Sequence, residues 1–284
     1  MQNAGIAHLG LNWRYLAFEV HPDDLTVAIQ GAKAMRFIGL NLTVPHKILA
    51  LEMVDAIEES ATIWGAVNTI RFEGKDPAGH WKPLADLEAA PSEVRSHGFN
   101  TDADAITRSL HEDLELDLRG KRVLLLGGGG AGRTAALKIA EQGAGELFLV
   151  NRTEAKAEEI AREIKEQVPA AQVQVGYPAG RVDLLLNATS LGLKTEDKLP
   201  FDEKAFSLKN AAAVYDMIYR PAETPLLRAA KAAGCPTANG LGMLLYQGAK
   251  ALELWSGRQA PVPIMKAALE NNVYGARPER KLRC

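Results

Sequence analysis

The sequence predicts an α/β protein whose second half is a doubly wound parallel sheet. Three observations carry that expectation. Gly127-Gly128-Gly129-Gly130-Ala131-Gly132 sits between the apolar run Val123–Leu126 and a helical pattern, which is the strand–glycine loop–helix order of a dinucleotide-binding, Rossmann-type unit. From residue 121 onward, short β-type runs alternate with segments of helical period. After residue 240 two helical stretches, Leu241–Trp255 and Pro263–Glu270, fall outside that count.

The elements follow in order. Residues 13–20 alternate, with Leu16, Phe18 and Val20 on one face, and read as a strand. His21-Pro22-Asp23 opens a helix that places Leu25, Ala28, Ile29 and Ala32 on one side. A strand over Phe37–Val44 runs into Pro45, which suits a first helical turn. A helix then leads to Gly65, and Val67–Phe72 is the next strand. Residues 73–98, with Gly74, Pro77, Gly79, Pro83 and Pro91, read as a surface excursion with a short helix near Ala85–Ala90. A helix is expected over 103–110. In the second half, strands are expected at 123–126, 146–150, 172–175, 182–186, 213–218 and 235–238. Helices are expected at 131–142 and 224–233, with another burying Ala157, Ile160, Ala161 and Ile164. The expected division is residues 1–104 with 240–284 in one domain, the C-terminal helices returning to it, and 105–239 in the other.

Composition narrows the classes of function. The 284 residues include 33 basic and 35 acidic side chains, a formal charge of −2. Such a balance argues against nucleic acid or an anionic membrane as partner. No apolar run approaches the ~20 residues of a membrane span, and residues 1–11 show no signal-peptide pattern. The two cysteines, Cys235 and Cys284, give no disulfide framework. A cytoplasmic monomer or homodimer acting on a small molecule is expected. His46 and His97 have no ligand spacing and no Cys/His cluster exists, so no metal is expected.

The glycine loop specifies a phosphate site. Its first glycine permits the tight turn, its second lets backbone approach a pyrophosphate, and its third allows close helix–strand contact. The helix start then offers free N–H groups to the phosphates. Gly127, Gly128, Gly129, Gly130 and Ala131 are the candidate contacts. At the end of the second strand, an NAD enzyme carries a carboxylate for the ribose hydroxyl. Asn151-Arg152-Thr153 and Lys156 stand there instead, and two cations suit the 2′-phosphate of NADP.

Asn41-Leu42-Thr43-Val44-Pro45-His46-Lys47 ends a strand and begins a helix. A lysine in a first turn has the wrong sign for the helix dipole, and a local rule broken in this way points to function. Asn100-Thr101-Asp102 precedes a helix, and by itself this string reads first as a cap, by Asp102 or Thr101. Asn68 in Gly65-Ala66-Val67-Asn68-Thr69 reads equally as a strand-edge asparagine.

Together these strings resemble the shikimate dehydrogenase family. NLTVPHK at 41–47, GAVNT at 65–69, GFNTD at 98–102, GGGGAG at 127–132, NRT at 151–153, NATSLG at 187–192, YDMIY at 215–219 and NGLGMLLYQGA at 239–249 occur in the family's order. The resemblance implies an N-terminal substrate domain, a Rossmann NADP domain and a C-terminal helix pair. It implies reversible reduction of 3-dehydroshikimate to shikimate, on the route to chorismate and the aromatic amino acids. Lys47 and Asp102 match the catalytic pair. Thr43, Asn68, Tyr219 and Gln247 match positions that bind the polyhydroxy acid. Asn151, Arg152, Thr153 and Lys156 match the 2′-phosphate site, and Met217 and Gly240 lie by the nicotinamide.

Two departures stand beside the resemblance. The family usually begins about twenty residues earlier, with a strand and a Ser-x-Ser pair for the substrate carboxylate. Neither is found near Met1. The 71–98 connection is also longer than is usual for the family. The alternatives are an NAD-using quinate/shikimate dehydrogenase, against which Asn151-Arg152-Thr153 argues, and an NADP-binding relative without turnover, against which Lys47 and Asp102 argue.

Overall fold

The structure, a computed structural model, describes residues 1–275; Cys284 and the end of the 240–284 segment lie outside them. The chain divides into two compact units, Met1–Asp102 with Gln247–Cys284, and Ala103–Tyr246.

The first unit opens with α1 (Gln2–His8), α2 (Leu25–Ala34), β1 (Gly39–Asn41) and α3 (His46–Leu49). It continues through β2 (Ala56–Ile57), α4 (Glu59–Trp64), β3 (Thr69–Lys75), β4 (Trp81–Pro83) and β5 (Val94–Phe99). Its sheet runs β1-β3-β5-β2, with β4 on the distal half of β3. The β1–β3 and β3–β5 pairs are antiparallel, and β2–β5 is parallel. α2 forms where expected and buries Leu25, Ile29 and Ala32 in a core with Val67, Ile70 and Phe72. Ile29 is fully buried, a contribution of about 1.5–3 kcal/mol.

Three expectations for this unit need correcting. Residues 13–20 are not a strand. Among the described residues no strand pairs with them, and Leu16 and Phe18 of their apolar face are 65% and 64% exposed. The strand expected over 37–44 is confined to Gly39–Asn41, because the chain turns at Thr43, whose carbonyl accepts the His46 N–H at 2.8 Å. Most consequentially, 73–98 is not merely an excursion. It supplies β4 and the interior strand β5, and the short helix is a single 3₁₀ turn, Leu84–Asp86.

The second unit follows expectation closely. It contains α5 (Asp102–Leu114, its first residue closing the first unit), β6 (Arg122–Leu126), α6 (Gly130–Glu141), β7 (Glu146–Val150) and α7 (Glu154–Gln167). Next come β8 (Val173–Val175), β9 (Val182–Asn187), β10 (Ala211–Asp216), α8 (Pro225–Ala232) and β11 (Thr237–Asn239). All strands are parallel in the order β11-β10-β9-β6-β7-β8, the dinucleotide-binding order with its reversal between β6 and β9. β6 is central, and Val123, Leu124, Leu125 and Leu126 are all buried, as a strand covered on both faces requires.

The chain ends through α9 (Leu241–Ser256) and α10 (Val262–Tyr274). From Gln247 onward these helices belong to the first unit. There the Trp255 indole N–H donates to the Ile70 carbonyl at 2.9 Å, and Gln2 Nε2 donates to the Gly248 carbonyl at 2.9 Å. No helix among the described residues is long and apolar enough to cross a membrane.

Candidate functional site

In the first unit, backbone hydrogen bonds sew three of the sequence strings together. Leu42 N donates to Asn68 O, Val67 N to Lys47 O and Asn68 N to Phe99 O, at 2.8, 2.8 and 3.1 Å. Gly98 lets the chains approach this closely, since a Cβ there would lie 2.8 Å from Val67. The result brings Lys47 Nζ to 2.7 Å from Asp102 Oδ2 across 55 positions of sequence. The two side chains are 26% and 14% exposed. They are reachable from solvent yet shielded enough for their charges to interact more strongly than a surface pair.

The capping alternative for Asp102 is answered by its neighbour. The Asp102 N–H donates to Asn100 Oδ1 at 3.0 Å, and Asp102 stands inside the first turn of α5 with its carboxylate on Lys47. Asn68 is buried, and its amide orientation is fixed. The Thr101 N–H and Thr69 hydroxyl donate to Asn68 Oδ1 at 2.9 and 3.1 Å, and Asn68 Nδ2 donates to Thr101 Oγ1 at 3.0 Å. The amide oxygen is therefore occupied, and what Asn68 retains for a ligand is an N–H. Thr43 is exposed beside this cluster, and Gln247 is half-buried on α9.

Asn41, Thr69 and Tyr15 belong to the same network and were not singled out from the sequence. Asn41 Nδ2 donates to Thr69 Oγ1 at 3.0 Å, and the Tyr15 hydroxyl donates to Asn41 Oδ1 at 3.1 Å. Asn41 and Thr69 stand inside the strings that drew attention, so the signal was present. Tyr15 lies outside them.

In the second unit the glycine loop has the expected form. Gly127 adopts φ 107°, which favours glycine. A Cβ at Gly132 would lie 2.0 Å from the Gly127 carbonyl oxygen, so only glycine allows α6 this close to the loop. Gly129, Gly130 and Ala131 are exposed at its crest. α6 has no side-chain cap. The N–H groups of its first turn thus remain available to an anion.

Asn151 braces the loop, accepting the Gly128 N–H at 2.9 Å while donating to the Thr153 carbonyl at 2.8 Å. Arg152 and Lys156 are exposed, and neither side chain has a partner among the described residues. Thr153 starts α7 without spending its hydroxyl on the cap. Open glycine crest, free helix N–H groups and two unspent cations fit a dinucleotide with a 2′-phosphate. Met217 follows β10, and its carbonyl oxygen would lie 1.9 Å from a Cβ on Gly240. Tyr219, in the same unit, is 37% exposed.

Comparisons with known proteins agree along the chain. The family model described as the shikimate dehydrogenase substrate binding domain matches residues 1–70, that of shikimate / quinate 5-dehydrogenase matches 109–191, and that of the shikimate 5′-dehydrogenase C-terminal domain matches 240–270. A shikimate dehydrogenase (NADP(+)) of Methanopyrus kandleri is 38% identical over 276 residues, covering 95% of this chain and 89% of that protein. The ligand-free 5-ketofructose reductase of Gluconobacter sp. strain CHM43 superposes with a TM-score of 0.78 at 35% identity, covering 95% and 92% of the two chains. The shikimate 5-dehydrogenase of Thermus thermophilus, in complex with NADP(H) and shikimate, superposes with a TM-score of 0.76 at 32% identity, again covering 95% and 92%.

Proposed function

The chain belongs to the shikimate dehydrogenase family, and on that premise we propose that it reduces 3-dehydroshikimate to shikimate with NADPH, reversibly, using Lys47 and Asp102. The observation that carries this reading is the 2.7 Å contact between Lys47 Nζ and Asp102 Oδ2. NADPH, when bound, supplies the hydride equivalent. Reduction of the ring ketone leaves charge on its oxygen. The Lys47 ammonium is the group to stabilise that charge and give the proton, a kind of help worth about 10²–10⁴ in rate. Asp102 holds the ammonium in place and accepts a hydrogen bond from the substrate hydroxyl, and in the reverse direction Lys47 takes the proton back.

Thr43, Asn68, Tyr219 and Gln247 are assigned to the substrate's other oxygens. The remaining Asn68 N–H would meet a hydroxyl or carboxylate oxygen as an acceptor. Residues Gly127 to Ala131 would take the pyrophosphate, Asn151, Arg152, Thr153 and Lys156 the 2′-phosphate, and Met217 with Gly240 would flank the nicotinamide. Residues 1–102 and 247 onward thus carry Lys47, Asp102, Thr43, Asn68 and Gln247 for the substrate, and 103–246 carry the NADP residues together with Tyr219.

Loss of NADPH absorbance with 3-dehydroshikimate tests the reading, and absence of turnover would refute it. A second reading, reduction of a keto sugar of the 5-ketofructose kind, is favoured by the likeness to 5-ketofructose reductase. Running 5-ketofructose in the same assay decides between them by the ratio of kcat/KM values.

A further inference from the structure

Beneath the carboxyl ends of β9 and β10 lies a knot of three polar side chains, Asn187, Asp216 and Thr224, each fully buried. Asn187 uses all of its hydrogen-bonding capacity. Its Oδ1 accepts from the Thr189 N–H and hydroxyl at 3.0 and 2.8 Å, and its Nδ2 donates to the Leu191 carbonyl at 3.2 Å and to Asp216 Oδ1 at 2.9 Å. Asp216 Oδ1 also accepts the Ile218 N–H at 3.1 Å, and Oδ2 accepts the Thr224 hydroxyl at 2.6 Å. Thr224 Oγ1 accepts the Leu227 N–H at 3.3 Å, starting α8.

Two turns leave the sheet edge from this knot, and each abuts a glycine that admits no side chain. The 188–192 turn lies against the glycine loop, where a Cβ on Gly127 would be 2.9 Å from the Ala188 carbonyl. The 217–219 turn lies against Gly240, where a Cβ would be 1.9 Å from the Met217 oxygen. Met217 N donates to the Asn187 carbonyl at 2.9 Å, closing the link between the turns. Both turns stand at the carboxyl ends of parallel strands, where ligands of such sheets bind.

The knot is a costly way to gain stability. No cation pairs with Asp216 among the described residues; its three donors are all neutral. A carboxylate buried in this way stabilises a fold less than apolar residues of the same volume would. What it does supply is a fixed geometry, since the donors and acceptors of the three side chains are matched to one another and to the two turns.

We propose that Asn187, with Asp216 and Thr224, is a positioning residue for the reducing end of the cofactor, setting the 189–192 and 217–219 turns around the nicotinamide. The inference rests on the reading above that Met217 and Gly240 flank that ring. Two ligands separate its failure from the failure of the enzyme assignment. They are NADP⁺ and its fragment without nicotinamide, 2′-phospho-adenosine diphosphoribose, both titrated calorimetrically into the full chain. Asn187→Ala should weaken NADP⁺ by about tenfold and leave the fragment unchanged. Turnover should fall about ten- to a hundredfold, with a larger isotope effect from NADPH deuterated at the transferred position. Thr224→Val keeps the side-chain shape and should act the same way if Asn187→Ala fails to fold. Thr224→Ser keeps the hydroxyl and should restore both affinity and isotope effect. Equal losses for the two ligands, or no loss for either, would overturn the proposal. A wild-type chain that binds NADP⁺ but ignores 3-dehydroshikimate would count against the enzyme assignment alone.

Discussion

Asn151 accepts the backbone N–H of Gly128 through its side-chain oxygen, so the residue preceding Arg152 also holds the glycine loop in shape. The proposed pyrophosphate and 2′-phosphate sites would therefore be mounted on one hydrogen-bonded support. Arg152 enters it with no protein partner to give up among the described residues.

Arg152→Ala should weaken NADP⁺ by about ten- to a hundredfold, the loss of a charge-assisted contact on the order of 1.5–3 kcal/mol. NAD⁺ affinity should stay level. Titration of both cofactors into the same preparation checks this, and parallel losses would show that Arg152 serves the fold of the loop instead.

Lys47→Ala and Asp102→Asn should each lower kcat by about a hundredfold or more, with cofactor binding intact. Because the two groups share one 2.7 Å contact, the double variant should cost far less than the product of the singles. Independent, multiplying effects in steady-state kinetics would separate the pair.

Glycine-to-alanine changes in the loop should differ sharply by position. Gly132→Ala puts a methyl 2.0 Å from a backbone oxygen, whereas at Gly129 a Cβ meets nothing within 4 Å. The first should lose on the order of 2–3 kcal/mol in urea unfolding, and the second should lose little. Equal behaviour of the two would mean that α6 can shift away from the loop without cost.

Glu73 gives the fold a specific acid sensitivity. Burial alone would raise its pKa, but hydrogen bonds from His97, Arg71 and Arg95 and the charge of Arg71 outweigh that and hold it at about 2, against an ordinary 4.5. The side chain is 3% exposed. A depressed carboxylate stabilises the fold fully above its unfolded value and loses that contribution as pH falls through the folded one. Glu73→Gln should therefore be less stable by about 3 kcal/mol at neutral pH. The gap should close between pH 4.5 and 2. Melting temperatures of both proteins across that range test it, and a gap that is constant with pH would assign the loss to packing.

The same cluster explains where the sequence was hard to read. β5 is an interior strand, yet Arg95 and His97 turn one face to Glu73, and Ser96 on the other bonds Asp55. Apolar alternation, the main signal of a strand, is absent from it. β2 has two residues and gives no periodicity at all. The second unit was legible because its strands are buried on both faces and stay apolar, as in Val123–Leu126. Lys47 and Asp102 were legible as motif members, and their contact needed the fold. Tyr15 was missed because a tyrosine in an alternating run looks like strand filling, and its partner Asn41 is 26 residues away.

The two-unit division also partitions the chain's optics. All four tryptophans, Trp13, Trp64, Trp81 and Trp255, fall in Met1–Asp102 or after Gln247, and none in Ala103–Tyr246. Emission excited at the red edge of the protein band thus originates in the first unit alone. Trp255 is buried, with its N–H on the Ile70 carbonyl and its ring centroid 6.2 Å from that of Tyr15. Its colour reports directly on whether α9 is seated on β3. Against calorimetry, which sees every residue, this native fluorophore set resolves melting of one half of the chain from melting of the other without any label.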